Sequence, residues 1–104
     1  MSAAADKRIA AIREKVREER APLAALSKQI GADLKKQMKP ASHYLDDVEG
    51  FFLAPEVLRH PPRSESEWAR WLGNAEGVLR RAVVHRKWVE GLIKKYGPDA
   101  RTFG

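Results

Sequence analysis

Three histidines, His43, His60 and His85, are the first residues in this chain that could do chemistry, as metal ligands or proton carriers. Their separations fit no compact ligand motif, in which imidazoles sit within a turn of one another or alternate with cysteines. There is no cysteine at all, so a disulfide framework, a thiolate zinc site and a cysteine nucleophile are excluded. His85 falls on an apolar helical seam and reads as a partly buried packing residue, with a pH-sensitive interface as its functional counterpart. Asp46, Asp47 and Glu49 could hold a divalent cation or form an acid/base pair. Just after Ser42, a plausible N-cap, they are more simply charges that complement a helix dipole. No P-loop, G-x-G-x-x-G or H-E-x-x-H motif is present, and no nucleophile sits beside an evident base. The expectation is a non-enzymatic protein with no metal and no cofactor.

Trp88 points elsewhere. On a helix that turns about 100° per residue it lies nearly opposite the apolar face centred on Trp68. Arg81, Val84 and Lys95 stand one or two turns from it, with Arg80 and Lys87 flanking. These six residues, Arg80, Arg81, Val84, Lys87, Trp88 and Lys95, form a candidate partner-binding face. A bulky aromatic among cations can stack on a base, meet an acidic protein patch or sit at an oligomer contact. The competing reading is that another segment folds over Trp88, or that it stacks on an arginine.

The element that carries this face is the best defined in the sequence. His60-Pro61-Pro62-Arg63 breaks the chain, and Ser64 with Glu67 then forms a capping box. Glu65 and Glu67 suit the first turn, Lys94 and Lys95 the last, and Gly97-Pro98 a stop, so a helix is predicted over residues 65–96. Trp68, Trp71, Ala75, Val78, Ala82, His85, Val89, Leu92 and Tyr96 alternate spacings of three and four along it. A related seam, Ile9, Ile12, Val16, Glu19, Leu23, Leu26, Ile30, Leu34 and Met38, predicts a second long helix over residues 6–39. It should kink near Pro22 and end at Pro40. Residues 41–63 read as a connector with a short helix over 43–53 after Ser42, followed by a turn from Pro55 to Leu58.

The expected fold is all-α: one domain over residues 1–104, an elongated antiparallel helical hairpin with the connector packed across it. A register in which Ile9 faces Tyr96 and Met38 faces Trp68 sets Glu19, the charged interruption of one seam, opposite Arg86, which projects from the other. An ion pair between Glu19 and Arg86 is therefore expected, with Glu90 one turn on as a second carboxylate. A rod of two long helices has little core for its surface. Either self-association covers the leftover apolar face, or Tyr44, Val48, Phe51 and Phe52 of the connector do so within one chain.

Net charge is +6 and unevenly placed. Lys/Arg outnumber Asp/Glu ten to five in residues 1–39 and seven to two in residues 80–104, whereas residues 40–79 hold three against seven. Such polarity bears on partners and association rates. No uninterrupted apolar run approaches the roughly 20 residues of a membrane span, and no apolar leader is recognisable, so a cytoplasmic or intravirion setting is expected. Three readings follow. The first is a small helical accessory, assembly or inhibitory factor that meets an acidic protein surface, or a second copy, through the basic Trp88 face. The second is a nucleic-acid-binding protein using its basic ends, against which Glu14, Glu18 and Glu19 are interleaved among the cations and no helix-turn-helix spacing is seen. The third is a structural subunit of a larger assembly.

Overall fold

The structure, a computed structural model, describes residues 3–54, 56 and 58–101. It is all-helical, with three helices packed together rather than two: α1 (Ala3–Ser27), α2 (Ala32–Asp47) and α3 (Glu65–Tyr96). A single π turn, Val48–Phe52, extends α2. The molecule measures 48 × 23 × 17 Å, so α3 runs nearly its full length.

α3 begins and ends where its caps say it must. Ser64 accepts from the Glu67 N–H at 3.1 Å, and the Glu67 carboxylate accepts from the Ser64 N–H, which completes the capping box. The Arg63 N–H donates to that carboxylate as well, at 2.7 Å. Hydrogen bonds from Arg63 first, and from Ser64 second, hold the Glu67 carboxyl below its ordinary range. At the far end the Gly97 N–H bonds the Ile93 carbonyl at 2.8 Å with φ at +92°, a conformation glycine adopts without a Cβ clash.

The first long helix expected over 6–39 is two helices, and neither proline divides it. Pro22 lies inside α1 and Pro40 inside α2. Each removes one hydrogen bond, to the carbonyl four residues back, but those carbonyls belong to the exposed residues Glu18 and Lys36, where water can replace the lost donor. The break falls at residues 28–31. Gly31 is extended there (φ −77°, ψ 177°), its N–H bonds the Pro98 carbonyl at 2.9 Å, and Ile30 is buried beside it. A tertiary anchor thus ends α1. The four-residue turn keeps Ile30 and Leu34 in phase with the seam of α1, which is why the sequence reads as one helix.

The expected short connector helix over 43–53 is likewise the C-terminal part of α2 and its π turn. Asp46 and Asp47 stand at a helix C-terminus, where the dipole disfavours them, and not in a first turn. Arg20 compensates from α1, meeting Asp46 at 2.9 Å and Glu49 at 2.6 Å. The expected turn from Pro55 to Leu58 includes residues outside those described.

Side-chain pairs give the directions. Arg8 meets Glu76 and Glu19 meets Arg86, so α1 and α3 run parallel, and the antiparallel register that sets Ile9 against Tyr96 does not occur. Gln37 meets His85 and Phe52 meets Trp71, so α2 runs antiparallel to α3. The bundle is up-down-up. Its core strings Ala5, Ile9, Ile12, Val16 and Leu23 of α1 against Trp68, Leu72, Ala75, Leu79 and Ala82 of α3, with Ala41, Leu45 and Val48 of α2 wedged between. Burying an aliphatic side chain of this kind contributes about 1.5–3 kcal/mol, and it is this periodic packing that holds three polar-faced helices together. Tyr96, assigned to the inner seam by its spacing, is 56% exposed.

Candidate partner-binding face

α1 and α2 cover two sides of α3 and leave a third open. Helical spacing puts Gly77, Arg80, Arg81, Val84, Lys87, Trp88, Gly91 and Lys95 along that side. Val84 is 67% and Trp88 47% exposed, a large apolar surface for residues in the middle of a helix. The Trp88 ring rests on His85, centroids 5.3 Å apart and tilted by 43°. His85 in turn donates from Nε2 to the Gln37 carbonyl of α2; a carbonyl can only accept, so Nε2 carries the hydrogen. α2 therefore fixes the imidazole, and the imidazole supports the indole.

Trp88 forms one end of a longer aromatic band on the α2/α3 side. A shallow groove of about 750 Å³ is lined by Tyr44, Gly77, Arg80, Arg81, Val84, His85 and Trp88. Phe51, 46% exposed, continues it at the far end of α2 and packs on Trp71 and Phe52 at centroid distances of 5.4 Å. The Trp71 indole N–H is held by the Phe52 carbonyl at 2.8 Å, which ties the π turn to α3. Trp71 and Trp88 are separated by about 25 Å of helix at ~1.5 Å per residue. The four exposed large hydrophobic residues among those described are Phe51, Val84, Trp88 and Tyr96; Val84 and Trp88 line this groove, whereas Tyr96 lies about 120° round α3 from Val84.

The charges around the band are of two kinds. Arg8, Arg17, Arg20 and Arg86 each meet a carboxylate, and each guanidinium is held above its ordinary arginine value, the bond to a carboxylate being the largest cause for Arg8, Arg17 and Arg86. Arg80, Arg81 and Lys87 are exposed and form no ion pair among the described residues. Lys95, further up the helix, sits 5.2 Å from the centroid of the Tyr96 ring and does not line the groove.

Glu19, Arg86 and Glu90 come together, but as part of the core and not of this face. Arg86 donates through Nε and Nη2 to the two oxygens of Glu19, the latter at 3.1 Å, and through Nη1 to Glu90. Glu19 is 7% exposed, the single buried charged residue among those described. The pair floors a 420 Å³ crevice between α1 and α3, more enclosed than the Trp88 groove and rimmed by Lys15, Glu18, Pro22 and Val83. Its buried donors and acceptors satisfy one another.

Tyr44, Phe51, Gly77 and His85 enter the face without having been marked for it by sequence reasoning. Tyr44 and Phe51 are seven residues apart and so share one stripe of α2, a signal that becomes visible once that helix is continuous from residue 32. Among the described residues no group of three His, Cys, Asp or Glu could hold a metal ion, and no helix is long and apolar enough to cross a membrane. Compared with family models, with curated proteins and with solved structures, the chain matches none of them.

Proposed function

We propose that this chain is a non-enzymatic interaction module, an accessory, assembly or inhibitory factor that binds an acidic protein through the α2/α3 face. One observation carries the reading: Arg80 and Arg81, without carboxylate partners, stand beside the exposed Val84 and Trp88 in one groove. Apolar anchors ringed by cations combine an aromatic hot spot with electrostatic selection and steering of an anionic partner. Arg8, Arg17, Arg20 and Arg86 are neutralised within the chain, whereas Arg80 and Arg81 keep their charge for a partner directly beside exposed apolar side chains.

Nucleic-acid binding is the alternative, and the end of the bundle near residue 31 favours it. The Gly31–Pro98 hydrogen bond brings the start of α2 to the end of α3. Lys28, Lys35, Lys36, Lys94 and Lys95 are all exposed towards that end. Affinity capture from the native host with wild type and Trp88→Ala separates the two. An acidic protein retained by wild type and lost with the variant supports the proposal. Retention of nuclease-sensitive material by both, with a steep loss of binding between low and physiological salt, overturns it in favour of nucleic acid.

A further inference from the structure

We infer that the occupant of the α2/α3 groove is an amphipathic α-helix of the partner, acidic along its flanks, which lies lengthwise over Val84 and Trp88 as a fourth helix of the bundle. This rests on the reading above that the face binds an acidic protein. Three features of the groove select a helix. First, what it offers is side chains: aromatic rings, Val84 and the guanidinium donors of Arg80 and Arg81. An extended peptide would bring N–H groups that find few acceptors there, whereas a helix satisfies its own backbone before docking. Second, the open side of α3 is long: Gly77, Arg80, Arg81, Val84, Trp88 and Gly91 share one face of it over ~21 Å, which matches about 14 helical residues with apolar anchors at i, i+3, i+4 and i+7.

Third, the outward side of α3 carries glycines that nothing inside the chain requires. A Cβ on Gly91 would meet no atom within 4 Å, and one on Gly77 would meet only the Arg80 guanidinium at 3.8 Å, the far end of a flexible side chain. Mid-helix glycine is unfavourable relative to alanine, yet here it flattens the surface on which another helix would rest. Charge then decides between occupants. A second copy docked across a two-fold axis through the middle of the band would bring the arginines of both chains together with no carboxylate between them. A nucleic-acid strand draws its affinity from a run of phosphate contacts, and among the groove-lining residues only Arg80 and Arg81 are lysine or arginine. A helix can instead set its acidic residues against those two guanidinium groups and its apolar ones over Val84 and Trp88.

The test uses the full chain and fluorescently labelled 18-residue peptides. One has leucines at i, i+3, i+4 and i+7 with glutamates flanking the half that meets Arg80 and Arg81. A second has the same composition scrambled to destroy the apolar periodicity, a third has lysine for glutamate, and a single-stranded oligonucleotide serves as the polyanion. The patterned peptide should bind at least ten-fold more tightly than the scramble or the lysine version. It should gain helical circular dichroism on binding and lose ten-fold or more in affinity with Trp88→Ala or Arg81→Glu, both exposed positions. Val84→Asp provides a third variant should either of these unfold. Equal binding of patterned and scrambled peptides, both lost with Trp88→Ala, overturns the helix while leaving an acidic protein partner in place. Binding of the oligonucleotide alone, or of no probe, overturns both. A mass doubled by light scattering and reversed by Trp88→Ala would assign the face to a second copy and overturn the inference.

Discussion

Glu19 and Arg86, 67 positions apart, clasp each other in a fork between α1 and α3, and they are the point at which two different registers coincide. An antiparallel hairpin pairs residues whose numbers add to a constant; the observed parallel pairing keeps a constant difference. Only near the crossing of the two schemes can one contact satisfy both. The ion pair expected from two charged interruptions of apolar seams thus occurs in a bundle whose α1 runs the other way. What the sequence marks at these two positions is mutual need between buried charges, which holds whatever the direction of the helices.

Glu19→Ala should therefore destabilise the fold by about 1–3 kcal/mol in urea unfolding, because Arg86 stays protonated at any accessible pH and would keep only Glu90. Glu14→Ala, on the exposed side of α1, should cost under about 0.5 kcal/mol. Glu19→Leu with Arg86→Met should recover most of the loss. Equal effects of the two single variants would remove the buried pair from the account.

Trp71→Phe and Trp88→Phe offer a contrast between two tryptophans on one helix. The first leaves the Phe52 carbonyl without its donor and should cost about 1–2 kcal/mol. The second replaces a ring that is half exposed and should shift the urea midpoint little while weakening partner capture. Intrinsic fluorescence should move in the same sense: replacing the 47%-exposed Trp88 removes a red-shifted component of the emission.

Two glycines of α3 should respond in opposite directions to alanine. Gly91→Ala meets open space and removes a flexible residue from a helix interior, so it should stabilise by about 0.5–1 kcal/mol. Gly97→Ala places a Cβ at φ +92° and should destabilise by about 1–2 kcal/mol. Thermal unfolding of the two variants side by side checks both signs.

The capping box should contribute to acid sensitivity. Glu67 is held below its ordinary value of 4.5 in the folded chain, so folding favours its ionised form. That contribution is fully present above the unfolded value near 4.5 and is lost as the pH falls through the lower folded value. Glu67→Gln should flatten the stability profile below about pH 5 and leave its slope near neutrality unchanged. A profile as steep as wild type's in acid would mean that other carboxylates carry the transition.

Local signals in the sequence determine α3 almost completely. Ser64, Glu67 and Gly97 set its ends through bonds within the helix itself, and its apolar period sets the buried side, so no distant contact is needed to predict it. The outward position of Trp88 follows from the same period, and with it the half of the candidate face that lies on α3. Other choices were left to tertiary structure. Whether residues 22, 28–31 or 40 end α1 depends on the Pro98 carbonyl, 67 positions beyond Gly31, because local propensity disfavours helix at all three places and only the hydrogen bond to that carbonyl holds an extended residue there. Once the chain turns at that point, α2 runs back along α3, α1 runs parallel to α3, and Tyr44 arrives in the groove with Trp88. A spacing of residues can say which side of a helix is greasy; which helix covers it, and which part stays open to a partner, is decided by the loop that sends the chain back.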